Sequence, residues 1–151
     1  MKLFTSLWEK VKTCEQELEP GQSASLLIPH TYPAAAEKTG SGWLHLPFPL
    51  FSEYQEAGIL SQWKVGTSIH SVEEAKEAQR LGAFYVTAGH IFTTDCKKGV
   101  PPRGMEFLEQ VCDSVTIPVY AIGGIHPQNL SGIRNTKAKG ACMMSEYMKG
   151  F

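Results

Sequence analysis

The sequence predicts an α/β domain built on a parallel sheet, of the (β/α) barrel type. Short apolar runs alternate with helix-forming stretches along the chain, and the runs are near-continuous instead of alternating in polarity. Such runs imply parallel strands covered on both faces. Polar or glycine-rich punctuation falls just past successive runs, at Ser68-Ile69-His70, Gly89-His90, Gly123-Gly124 and Ser145. A barrel gathers the loops after its strands around one mouth, so this distribution favours it. The alternative, an open doubly wound sheet, also binds ligands at strand ends. Against its nucleotide-binding forms, no G-x-G-x-x-G follows the first strand and no G-x-x-x-x-G-K-[ST] occurs.

The elements follow in order. Leu3, Phe4, Leu7, Trp8, Val11 and Leu18 recur near helical spacing, and Glu19-Pro20-Gly21 stops that amphipathic helix. Ala24 to Ile28 reads as a short buried strand bounded by Pro29. Tyr32 to Thr39 is a helix ended by Gly40, Trp43 to Leu46 a strand, and Leu50 to Ala57 a helix ended by Gly58. Lys64 to Ile69 is a strand. Ser71, with Glu74 three residues on, makes a capping box for a helix from Val72 to Leu81, which Gly82 closes. The strand Ala83 to Ala88 is followed by a loop and by a helix carrying Met105, Phe107, Leu108 and Val111. Pro118 to Ile122 is the next strand and Gly123-Gly124 its turn. Pro127 sits at a helix N1 position, opening a helix to about Thr136, and Gly140 to Met144 is the sixth strand.

At 151 residues with a net charge of −1, the chain suits one domain, 1–151, with a single core. No basic stripe or polybasic run gives nucleic acid or a membrane surface a reason to bind, so a small or modestly anionic ligand is the expected partner. Cys14, Cys96, Cys112 and Cys142 are scattered without a C-x-x-C pair, which disfavours a zinc knuckle or redox dithiol and suits reduced thiols. Charged residues interrupt the opening apolar positions, so neither a signal peptide nor a spanning helix is expected, and a cytoplasmic location is.

The loop Gly89-His90-Ile91-Phe92-Thr93-Thr94-Asp95-Cys96-Lys97-Lys98-Gly99 places a titratable ring, hydroxyls, a carboxylate, a thiol and ammonium groups behind a strand. A loop at a strand end can present such groups without burying them inside the sheet. Gly123-Gly124 is at least a turn that permits positive φ. Its backbone N–H groups, with those of a short helix starting at Ser145, would also form a phosphate cup. Ser71 is a helix cap, and the bland reading of Ser68 is a local backbone contact.

The run Val65-Gly66-Thr67-Ser68-Ile69-His70-Ser71, then Glu73-Glu74-Ala75, resembles the fifth strand and helix of the thiamine phosphate synthase-like barrels. Ala83 to Gly89, Ile91-Phe92-Thr93-Thr94, Cys96-Lys97 and Pro118-Val119-Tyr120-Ala121-Ile122-Gly123-Gly124-Ile125 continue the resemblance in order. Synthases of the family carry proline after the glycine of the sixth strand and threonine before the lysine; here His90 and Cys96 stand at those places. The Gly-His-x-Phe-x-Thr-Asp-Cys-Lys-Lys-Gly string, with Arg103-Gly104 following, resembles the TenI branch, the thiazole tautomerases. The acids with which synthases hold a magnesium pyrophosphate are replaced by Ile28-Pro29-His30-Thr31 and His45-Leu46-Pro47-Phe48-Pro49. Magnesium prefers several oxygen ligands, so this loss favours the tautomerase.

The resemblance implies a (β/α)8, TIM-barrel type fold, incomplete here, with about six of eight strands and the first two βα units missing. A truncated start, a second chain covering the open edges as a homo-oligomer, or a fold that stays open would each account for this. It implies an isomerase that aromatises a carboxythiazole phosphate tautomer, with His90 as the proton shuttle and neither cofactor nor metal. Ser68, Thr94, Lys97, Gly123, Gly124, Met144 and Ser145 are the expected substrate- and phosphate-binding residues, and a small phosphorylated thiazole the expected ligand. His30, His45, His70 and His126 are expected to be loop or strand-end histidines, with His70 nearest the pocket. The alternatives are a thiamine phosphate synthase and a non-catalytic protein that binds a phosphorylated ligand.

Overall fold

The computed structural model describes residues 28–94 and 98–144. The expected first helix, most of the expected Ala24 to Ile28 strand, and residues Asp95, Cys96, Lys97 and Ser145 lie outside them. The described elements are α1 (Pro33–Thr39), β1 (Trp43–Pro47), α2 (Phe48–Glu56), β2 (Lys64–Ile69), α3 (Val72–Arg80), β3 (Tyr85–Gly89), α4 (Gly104–Ser114), β4 (Val119–Ile122), α5 (Leu130–Arg134) and β5 (Gly140–Cys142). The five strands form one sheet in the order β1-β2-β3-β4-β5, and every neighbouring pair is parallel. Ile28 is not in a strand; His30 instead makes a single parallel bridge to His45 at the outer edge of β1.

Strand order shows no switch point among the described strands. A doubly wound sheet reverses direction at a switch point, whereas these strands advance one position at a time in one direction. Crossovers between parallel strands are right-handed, so a constant direction puts every connecting helix on the same face. Leu44, Leu46, Val65, Ile69, Val86, Ala88, Val119 and Ala121 point to that face and are buried with Ala36, Phe51, Ala75, Ala78, Leu108, Val111 and Ile133 from the helices. The expectation of a sheet covered on both faces is therefore corrected: among the described residues the helices cover one. The opposite face carries His45, Ser68, Tyr85, Thr87, Tyr120, Ile122 and Cys142, at alternate positions along the strands.

Local signals fixed most element ends. Ser71 Oγ accepts the Glu74 N–H at 3.0 Å, and the Glu74 carboxylate accepts the His70 N–H at 2.6 Å. Replacing Ser71 by alanine is expected to cost about 1 kcal/mol, read as a lowered urea midpoint. Helix α2 begins two residues before the expected Leu50, because Pro49 lies in its first turn, where a missing N–H leaves no bond unmade. The helix expected from Pro127 to Thr136 shrinks to Leu130–Arg134. Asn129 is the reason: its Oδ1 accepts the His126 N–H at 3.0 Å and its Nδ2 donates to Gly124 O at 2.8 Å, tying residues 126–129 into a turn against β4. No described helix is long and apolar enough to cross a membrane.

Candidate active site

The chain after β3 is fastened to its neighbours by backbone bonds. Ile91 N–H donates to Ile122 O and Phe92 N–H to Gly123 O, both at 3.0 Å. His90 O accepts the Arg103 N–H at 3.0 Å, and Ile91 O the Gly104 N–H at 3.1 Å, so the loop also meets the start of α4. His90 is thereby held at the carboxyl end of the sheet with 4% of its surface exposed. Its Nε2 lies 3.4 Å from Val100 O. A carbonyl only accepts, so Nε2 carries a proton. Nδ1 is buried without a partner among the described residues. An orphaned buried nitrogen costs roughly 1–3 kcal/mol, and a reacting role is one reason for a fold to keep one.

His90 lines a cavity of about 340 Å³ at the strand ends. Ser68, Thr94, Gly123, Gly124 and Met144 line it too, so six of the eight residues singled out from sequence meet there. The other two, Lys97 and Ser145, lie outside the described residues. His70 also lines it, with Nδ1 3.1 Å from Gly89 O. The twin glycines are required by the space as well as by the backbone. Gly123 has φ 101° and Gly124 φ 64°. A Cβ on Gly123 would strike His90 Cβ and lie 2.8 Å from its Cα, and one on Gly124 would strike Thr93 O and lie 2.8 Å from Phe92 C and O. The glycines thus let the turn after β4 press against the His90 loop.

His45, expected in a loop or at a strand end, stands in the middle of β1, 7% exposed. Its ring nitrogens lie 2.9 Å from the Tyr85 hydroxyl and 2.8 Å from Ser68 Oγ. Burial, with a smaller push from His30, lowers its pKa to about 4 and keeps it neutral. Since the unfolded value is 6.5, the unfolded chain takes up a proton between about pH 6.5 and 4 that the folded chain refuses. This contribution to stability is whole above pH 6.5 and is lost as the pH falls toward 4, by about 3 kcal/mol. Comparing urea midpoints at pH 7 and 4.5, His45→Gln is expected to show a smaller acid loss than wild type.

His45, Tyr85, Ile122 and Cys142 are the residues around the site that sequence reasoning passed over. Their signal is the two-residue alternation on β1, β3, β4 and β5, masked because Tyr85, Tyr120, Ile122 and Cys142 on the cavity side are themselves aromatic or weakly polar. Burial raises the Cys142 thiol pKa, which holds it protonated and makes it a poor nucleophile at neutral pH. The stretches that replace the synthase acids both reach the cavity, through His30 and Pro47, and no carboxylate is among its described lining residues. The described lining therefore offers a magnesium diphosphate no carboxylate oxygen.

Comparison with known proteins gives these residues a family. The sequence matches the family described as thiamine monophosphate synthase over residues 7–147. It is 41% identical over 85 residues to the thiamine-phosphate synthase of Syntrophomonas wolfei, covering 56% of this chain and 41% of that one. It is 32% identical over 126 residues to a putative thiamine-phosphate synthase 2 of Aquifex aeolicus, covering 83% and 67%. Among solved structures, the thiamine phosphate pyrophosphorylase of Pyrococcus furiosus superposes with a TM-score of 0.64 at 31% identity, over 77% of this chain and 55% of that one. The chain thus spans about two-fifths of the length of a relative such as the Syntrophomonas enzyme. With its parallel sheet wound in one direction and its glycine-lined cavity at the strand ends, the chain belongs to the thiamine monophosphate synthase family.

Proposed function

We propose that the chain is a thiazole tautomerase of the TenI type, and that its five described strands are part of a (β/α)8 barrel wall. The observation that carries the reading is His90: a buried imidazole at the cavity wall whose Nδ1 has no partner among the described residues, at the place where synthases carry proline. In the proposed reaction a carboxylated dihydrothiazole phosphate with an exocyclic double bond becomes the aromatic thiazole. His90 takes the proton from the ring carbon, the π electrons shift toward the exocyclic carbon, and the imidazolium returns a proton there. The count of protons and electrons is unchanged, and aromaticity drives the step. A neutral imidazole suits both halves, because its ordinary pKa lies near neutrality.

The relatives' names support a second reading, magnesium-dependent joining of a pyrimidine diphosphate to the thiazole phosphate. Incubating the purified chain with the thiazole tautomer in D2O separates the two. Tautomerisation predicts faster aromatisation with solvent deuterium at the former exocyclic carbon. A background rate there, with magnesium-dependent release of pyrophosphate from the other substrate pair, would replace it by the synthase. Thermal stabilisation by the tautomer without turnover would leave a binding protein.

A further inference from the structure

The sheet face opposite the helices holds polar residues that the proton shift does not use. His45 on β1, Gly66 on β2 and Tyr85 on β3 sit side by side in register. A Cβ on Gly66 would fall inside the Tyr85 ring. The missing side chain therefore opens the slot through which that ring crosses β2 and brings its hydroxyl 2.9 Å from His45 Nδ1. His45 Nε2 lies 2.8 Å from Ser68 Oγ, and Thr87 Oγ1 donates to the same oxygen at 3.0 Å. Ser68 in turn lines the His90 cavity.

The geometry points to His45 and Tyr85 as positioning residues that fix the Ser68 hydroxyl as a hydrogen-bond donor to an anionic oxygen of the ligand. This deepens the proposed function and rests on its claim that the cavity takes an anionic substrate. Donor accounting sets the polarity of the chain. Burial pushes the Tyr85 phenol up to about 12, so it keeps its proton, and neutral His45 has one N–H to place. With that N–H on Nδ1, the half-buried Tyr85 hydroxyl would accept and its own proton would have no acceptor among the described residues, so the opposite polarity satisfies more of the donors present. Tyr85 therefore donates to Nδ1, and Nε2–H donates to Ser68 Oγ. Accepting from both His45 and Thr87, the Ser68 oxygen has its lone pairs engaged, and its own proton is what remains for a ligand. The reverse polarity would spend the serine proton on Nε2 and turn a lone pair toward the anion.

The test is calorimetric binding of inorganic phosphate at neutral pH to the whole chain, to Tyr85→Phe, to Ser68→Ala and to the double variant. Phenylalanine keeps the ring in the Gly66 slot and against Tyr120, 5.6 Å away, so the fold is retained. A hydrogen bond to a charged group is expected to make Ser68→Ala bind roughly tenfold or more weakly, and Tyr85→Phe several-fold more weakly. The double variant should bind like Ser68→Ala alone, since the tyrosine acts only through the serine. His45→Gln, whose amide can both accept and donate, should retain more binding than His45→Leu, a difference that packing alone does not produce. An equal Tyr85→Phe penalty with and without Ser68, or no phosphate binding by the wild type, would overturn the relay. If phosphate binding couples as described but the tautomer is not turned over, the proposed function fails and the relay stands; turnover with an uncoupled cycle removes the relay alone.

Discussion

His90→Ala is expected to slow aromatisation of the thiazole tautomer by roughly 10²–10⁴ while moving the melting temperature little, because the ring's chemistry and the loop's fastening are separate. The fastening is backbone: four main-chain bonds to Ile122, Gly123, Arg103 and Gly104 hold residues 90–92 whatever side chain stands at 90. Among the described residues the ring itself makes one long polar contact, 3.4 Å to Val100 O, and Nδ1 has none. Removing it loses buried carbon surface and also removes an unsatisfied buried nitrogen, and these two changes offset each other. The expected signature is a fall in kcat and in kcat/KM together, since proton transfer occurs only in the transition state. His90→Gln, which keeps polarity and volume but cannot shuttle a proton near neutrality, should be as slow as His90→Ala. A wild-type rate in either variant would sink the assignment, and so would a melting-temperature loss large enough to account for the lost activity by unfolding.

Most of the site could be read along the chain because its residues follow strands whose ends are marked by glycine. Gly89 before His90, and Gly123-Gly124 after β4, are local signals, and the cavity assembles from them once parallel strands bring those ends level. The relay could not be read in this way. His45, Ser68 and Tyr85 are far apart in sequence, and their contact depends on strand register and on a glycine, Gly66, whose purpose is visible only when the Tyr85 ring lies over it. The apolar face misled the reading of coverage for a related reason. Continuous apolar runs look the same whether one face or both are covered by helices, and strand order is what puts the described crossovers on one side. The shortened α5 reflects a competition that propensity does not show, in which the Asn129 side chain satisfies a turn more locally than a helix would.

Gly124→Ala is expected to destabilise the fold by about 3 kcal/mol or more, a large share of the roughly 5–15 kcal/mol that holds a domain of this size together. Part of the loss is conformational: at φ 64° an L residue pays about 1–2 kcal/mol in the left-handed region. The rest comes from what the new methyl meets, which is the backbone of Phe92 and Thr93 and not the tip of a flexible side chain. Relief would require the His90 loop to move away from β4, breaking the Phe92 N–H bond to Gly123 O and straining the Asn129 bond to Gly124 O. Each of those bonds contributes about 1 kcal/mol. Gly58 separates the two effects, since it has a similar φ of 71° but nothing within 4 Å of the position a Cβ would take. Gly58→Ala should therefore show the conformational cost alone, as a modest drop in urea midpoint. Gly124→Ala should show that cost plus the clash, together with weaker ligand binding in the cavity, because the displaced segment carries His90. Equal midpoints for the two variants would mean that the loop yields freely, and that the close approach of the turn after β4 does not hold His90 in place.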